Sequence, residues 1–306
     1  MKLSSFLSLI ISLVFFVGCN TNAKQNKNRE NLTSKNQSKT YLPKLVTDQL
    51  AKEVEEQSGM VYYNNLFWVN NDSDCPAELY AYDLSGKLKK TIKILNAKNI
   101  DWEDLTDDEE FFYIGDFGNN NGIRKDLRIL RVAKSEIGEG GKVELNADII
   151  TFDWKDQIDF KKRKHDHDFD CEAFFSYGDS LYLFTKNWAN YKTRMYVMNK
   201  KLTHHSLQPK MEFDIDFMVT GADISSDGKN LALVGYKDYK TYMYLFSNYS
   251  ELNFDQGKQV RIDMSPLGGA QTEGVVYDDA DALFISTEAT KQPQALYKVD
   301  WEQWMN

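Results

Sequence analysis

From Thr40 onward the chain is a succession of short aromatic runs separated by Asp, Asn and Gly, with little of the 3.6-residue periodicity of amphipathic helices. The runs LFWVNN (66–71), FFYIGDF (111–117), SLYLFTKN (180–187), LALVGYK (231–237) and ALFISTE (282–288) are six to eight residues long. Their length and their Tyr, Phe, Val and Ile content predict β-strands. Each is followed by a more alternating run: ELYAYD (78–83), LRILRV (127–132), RMYVMN (194–199), YMYLFS (242–247) and QALYKVD (294–300). Each is preceded by a short signature, namely QSGMVYY, DWEDL, DCEAFF, TGADIS or QTEGVVY.

Eleven residues forward of Ser58, Glu103, Glu172, Ala222 and Glu273 the chain is always inside the aromatic run, and the following run begins 20 to 24 residues after the same position. A common offset in five places is a repeat. A fourth run completes the first four units: KKTIKIL (89–95), DIITFDW (148–154), KMEFDID (210–216) and QVRIDM (259–264). The fifth unit lacks one, and TYLPKLV (40–46) is expected to supply it and close the ring. Four-stranded units of this kind predict an all-β, five-bladed β-propeller. Six blades stay open if the long 103–172 interval hides a degenerate unit; its segment KDQIDFKKRKHDHD (155–168) reads as an inserted loop. A β-sandwich would not explain the fixed offset.

The N-terminus changes the picture of where this propeller works. Lys2 and the apolar stretch from Leu3 to Val17 precede Gly18 and Cys19, a pattern of a lipoprotein signal (1–18) with lipidation at Cys19. Residues 19–39 are polar, contain one leucine and no aromatic residue, and read as a flexible tether to the domain 40–306. The expected location is the bacterial cell envelope, lipid-anchored to a membrane. An ordinary cleaved signal peptide and a membrane anchor are the alternatives. A net charge of −9 argues against a nucleic-acid polymer as partner. Cys75 and Cys171 are the two other cysteines, so no disulfide scaffold is expected, although one bridge is permitted. A monomer is expected.

In a propeller the signature strand of each blade lines the central channel. The expectation is therefore that Ser58, Glu103, Glu172, Ala222 and Glu273 converge at one mouth of it. Three carboxylates aimed at one axis repel unless something offsets them. A hard cation with oxygen ligands, calcium before zinc, suits a set without recurring Cys or His. Capping of strand ends is the plainer alternative. The loops between the second and third strands open on the same mouth, which makes Asp72, Asp116, Asn119, Asn120, Lys186, Asn187 and Glu288 candidate ligand contacts. In HDHDFD (165–170), His165 and His167 would share one face of an extended strand and bind a transition metal, or else lie in a solvated loop. His204 and His205 read as a polar turn, and Asp107, Asp108, Glu109 and Glu110 as a solvated turn at the far end of the channel.

The wording NNDSDCPAELYAYDLSG, NIDWEDLTDD, FFYIGDFGNNNGIRKDLRI, FDCEAF, LYLFTKNW and TGADIS resembles a group of uncharacterised bacterial lipoproteins read as propellers. The Ser, Glu, Glu, x, Glu series is similar to that of the calcium-activated nucleotidases (apyrases), five-bladed propellers with calcium in the channel that hydrolyse nucleoside di- and triphosphates. That resemblance implies calcium ligation by Ser58, Glu103, Glu172 and Glu273. The fourth unit departs from it, with Ala222 where a serine is expected and Thr220 or Asp223 as substitutes. Two functions follow as expectations. One is a ligand- or partner-binding envelope module with a calcium-loaded mouth. The other is a calcium-dependent phosphohydrolase, in which Asp101, Asp116 or Asp170 would be the base and Lys186 or Arg124 would pair with phosphate.

Overall fold

The second strand of every unit is apolar on both sides, and the structure explains why. In the computed structural model, which describes residues 39–305, each such strand is sandwiched between two neighbouring sheets. Phe112 and Ile114 pack toward the first sheet, whereas Tyr113 packs toward the third. A strand buried on both faces carries a continuous apolar run rather than an alternating one. The signal segment, Cys19 and most of the expected tether lie outside the described residues. Among those residues no helix is long and apolar enough to cross a membrane.

Five sheets form a β-propeller. Their inner strands are Gln57–Tyr63, Trp102–Asp107, Asp170–Tyr177, Met218–Ile224 and Thr272–Tyr277. The second strands are Leu66–Asn71, Phe111–Asp116, Ser180–Lys186, Asn230–Lys237 and Leu283–Thr287, and the third strands follow in antiparallel register. The 103–172 interval adds no sixth blade. Its segment Lys142–Leu145 instead pairs in parallel with Leu88–Ile94 at the outside of the first sheet. His204–Leu207 does the same for the second sheet beside Asp148–Trp154, so His204 and His205 belong to a strand rather than a turn. Strand pairing across 53 residues of sequence leaves no local signal, which is why both additions escaped the pattern. The outer strand of the fifth sheet is Lys44–Thr47, antiparallel to Ala295–Val299.

The core is divided into five clusters, one between each pair of adjacent sheets. Phe67 of the first sheet, for example, meets Phe284 of the fifth with ring centroids 5.0 Å apart. Burial of such rings is the main stabilising contribution, and it holds the inner strands in place around the axis. Cys171 is buried between the second and third sheets, and both Cys171 and Cys75 are free thiols.

Candidate functional site

All five inner strands carry a register shift near their start: between Gln57 and Met60, Trp102 and Asp104, Cys171 and Ala173, Val219 and Gly221, and Thr272 and Val275. A bulge adds a residue, bends the strand and re-aims a side chain. The residues inside the shifts are Ser58 with Gly59, Glu103, Glu172, Thr220, and Glu273 with Gly274. The fourth member of the repeat is therefore Thr220 and not Ala222. Ala222 faces the apolar cluster between the third and fourth sheets. Asp223 points to the opposite end of the channel and does not replace it. Thr220 is followed by Gly221, as Glu273 is by Gly274 and Ser58 by Gly59. A methyl group at Gly221 would overlap the Glu273 carbonyl, so the bulge needs glycine for close approach of the neighbouring strand.

Ser58, Glu103, Glu172 and Glu273 line one cavity of about 220 Å³ together with Asp72, Asn120, Lys186 and Glu288. Eight expected residues thus meet at one mouth. Within it Lys186 Nζ lies 3.0 Å from Glu172 Oε2, and both side chains are buried. The same ammonium stands 4.8 Å from the Trp188 ring and 5.2 Å from the Tyr236 ring. Lys186 thus does for Glu172 what an added cation was expected to do. The uncompensated charge lies elsewhere in the mouth. Asp72, Asp101 and Glu103 each place a carboxylate oxygen within 4.8 Å of the others. Gly118 forms the wall behind them, where a methyl group would overlap Glu103 Oε1 and crowd Asp101.

Burial dominates the electrostatics of the whole mouth. Burial raises Glu103 well above the usual carboxylate range, and Glu172 and Asp72 raise it further. Asp101 is pushed up to about 7 by burial and then by Asp72. Glu273 reaches about 7 through burial, opposed by Lys186, and its Oε2 is buried without a hydrogen-bond partner. Glu288 is pushed up to about 9 by burial and then by Glu273. Burial works against the charge on Lys186, but Glu172, Tyr236 and Glu273 outweigh it and hold the ammonium well above its usual value. Glu172 is raised by burial and held back by the same lysine.

Several expected residues are not brought into the cavity. Asp116 is fully buried and bound by Arg124 at 3.0 Å and Arg128 at 2.8 Å, which leaves neither a free base nor a free phosphate-binding arginine. Arg124 also donates to the Gly118 carbonyl. Asp170 accepts from the Asn119 backbone and from Trp188 Nε1, so it braces the loop. Asn119 donates to the Phe169 carbonyl, and Asn187 bonds Thr185 and Asn190. Among the three expected bases, only Asp101 belongs to the carboxylate cluster.

The two histidines of HDHDFD separate. His165 takes a left-handed conformation with φ 57°, stacks on Trp188 at 3.9 Å and lines the acidic cavity. His167 accepts the Phe169 N–H at Nδ1 and borders a different cavity. The run is not an extended strand, so it offers no common face. Trp188, Gln271, His165 and Tyr236 are the lining residues that the sequence reading did not place there. Tyr236 had a signal: it pairs with Met218 as Lys186 pairs with Asp170, at the same position two residues before the bulge.

No family model matches the chain, and no curated protein matches its sequence. Solved structures do resemble it. A glucose dehydrogenase aligns with TM-score 0.50 and 8% identity, covering 82% of this chain and 98% of that one. The PQQ-bound aldose sugar dehydrogenase of Streptomyces coelicolor gives 0.47 at 10% identity, over 84% and 96% of the two chains. The Myxococcus xanthus glutaminyl cyclase gives 0.43 at 10%, over 85% and 95%. At these identities the likeness is one of fold alone.

Proposed function

We propose that the chain is a cell-envelope lipoprotein, tethered through Cys19, whose propeller holds a divalent cation at Asp72, Asp101 and Glu103 and presents the loaded cavity to a ligand. The observation that carries the reading is the approach of those three carboxylates to within 4.8 Å of one another at a cavity mouth. The donor set is all oxygen, which suits calcium over zinc. Asn120 stands in the same lining to add a further oxygen. The ligand set differs from the one implied by the nucleotidase resemblance, because Lys186 already neutralises Glu172.

Thermal melts of the protein with calcium, with magnesium and with chelator test this. At calcium a hundredfold above its Kd the melting temperature should rise by about 5–10 °C. Glu103→Gln and Asp101→Asn should each remove most of that rise. No calcium shift in the unsubstituted protein sinks the proposal. A phosphohydrolase is the second reading, favoured by Asp101, whose carboxyl is raised to about 7 within the cluster. Asp101 cannot act as cation ligand and as base at once. Calcium-dependent phosphate release from nucleoside di- or triphosphates, lost in Asp101→Asn while the melting shift stays, would select the enzyme.

A further inference from the structure

The same inner strands end at a second, larger cavity of about 1010 Å³ on the opposite face. One half of its wall is filled by the protein's own ammonium groups. Lys134 bonds Asp107 and lies 4.0 Å from the Tyr63 ring centroid. Lys200 lies 2.9 Å from Asp108 and 5.4 Å from the Tyr113 ring centroid. Each lysine is held between a ring and a carboxylate, the arrangement in which a cation gains from both.

The other half of the wall has the same chemistry and no such lysine. Tyr62, Tyr177 and Tyr277 line it with Asp223, Asp278 and Asp279. Among the described residues no Lys or Arg stands over these three rings or pairs with these three carboxylates. Lys201 is paired with Asp179 at 3.1 Å and Lys229 with Asp227 at 2.8 Å. Tyr277 is 7% exposed, and its hydroxyl has no hydrogen-bond partner. Asp223 accepts the Tyr277 N–H at 2.7 Å and is raised to about 8 by burial, so Asp278 and Asp279 carry the negative charge of this half at neutral pH. Among the described residues, the group of three carboxylates that converge tightly enough for a metal ion is at the other mouth. Spread carboxylates between aromatic rings suit a diffuse or extended cation better than a metal ion. The volume is of the order of a small-molecule site, about 300–1,000 Å³.

We propose that this half of the cavity is a second binding site, specific for an aliphatic organic cation whose ammonium groups lie among Tyr62, Tyr177 and Tyr277. The site is independent of the cation cluster at the other mouth. Titration calorimetry of the full protein with spermidine at physiological salt tests it, with magnesium chloride and sorbitol as ionic and neutral controls. Saturable binding of spermidine is expected, without binding of sorbitol. Tyr177→Leu should weaken it about 3- to 30-fold, while Tyr177→Phe, which keeps the ring, should bind like the unsubstituted protein. Asp279→Asn, at an exposed position that does not endanger folding, should weaken it about threefold. Glu103→Gln should leave it unchanged. Absence of spermidine binding overturns the proposal. So does binding that Tyr177→Leu and Asp279→Asn leave intact, or that Glu103→Gln removes. Capture of a lysine-rich peptide but not of spermidine would also overturn it, in favour of a protein partner.

Discussion

The five inner strands begin at one acidic cavity and end at another, and the two ends handle charge in opposite ways. At the start, a bulge in each strand re-aims one residue, so Glu103, Glu172 and Glu273 share a small cavity with Lys186. At the end, the strands run into ordinary hairpin turns, and the carboxylates spread around a bowl several times larger. Focused charge must be neutralised internally or by a bound cation, because burial multiplies its cost. Spread charge can be met piecemeal, as Lys134 and Lys200 do over half of the bowl. One repeat therefore encodes a confined site and an open one.

The sharpest way to break this contrast is to remove the confined counter-ion. Lys186→Met leaves Glu172 buried and unpaired, and should cost about 3–5 kcal/mol in urea denaturation. Combining it with Glu172→Gln should restore most of the loss. If the single variant costs less than about 1 kcal/mol, the pair behaves as an exposed salt bridge and the contrast fails. At the open end, Asp108→Ala removes the acceptor for Lys200 Nζ, Tyr113 Oη and the Glu110 and Phe111 N–H groups. A loss of about 1.5–3 kcal/mol is expected, smaller because Lys200 Nζ keeps the Gly178 carbonyl as an acceptor at 2.8 Å and Asp108 is itself only half-buried.

A pH series compares the two ends directly. Glu288 at the confined mouth is raised to about 9, and Asp223 at the bowl to about 8. In the unfolded chain both titrate near pH 4, roughly. The native state thus holds more protons than the unfolded one across that window, and stability falls as pH rises through it. The melting temperature of the chelator-treated protein should fall steadily between pH 5 and about pH 8. Asp223→Asn should flatten the curve below about pH 8, and Glu288→Gln should flatten it up to about pH 9. A melting temperature that rises over this range would contradict both. The smallest effect belongs to Glu109→Gln and Glu110→Gln, two exposed turn residues, each expected within about 0.5 kcal/mol of the unsubstituted protein.

Those two residues show how far the sequence could be read. Of the four acidic residues in that turn, Glu109 and Glu110 are exposed as expected. Asp107 and Asp108 are instead half-buried and ion-paired, because Lys134 and Lys200 reach them from separate connections. Lys134 comes from the same sheet, but Lys200 lies 92 residues from Asp108, and such a pairing leaves no local mark. The fourth repeat slipped by two residues for a related reason. Its second strand, Asn230–Lys237, is eight residues long, so a fixed offset lands inside it whether counted from Ala222 or from Thr220. The dipeptide Thr220-Gly221, matching Ser58-Gly59 and Glu273-Gly274, was the better marker.

The chain by itself indicated the five-fold repeat, the main strands of each sheet and the end of the channel where Glu103, Glu172 and Glu273 meet. Those follow from hydrophobic runs and a repeat spacing, which are local and periodic. Tertiary structure decided which of the acidic residues are already neutralised. It moved the open cluster to Asp72, Asp101 and Glu103, gave Lys186 to Glu172, tied Asp116 to Arg124 and Arg128, and sent His165 and His167 to different cavities. A charge is free or satisfied according to what stands within about 4 Å of it, and that distance is set by bulges and by loops from other blades rather than by neighbours along the chain.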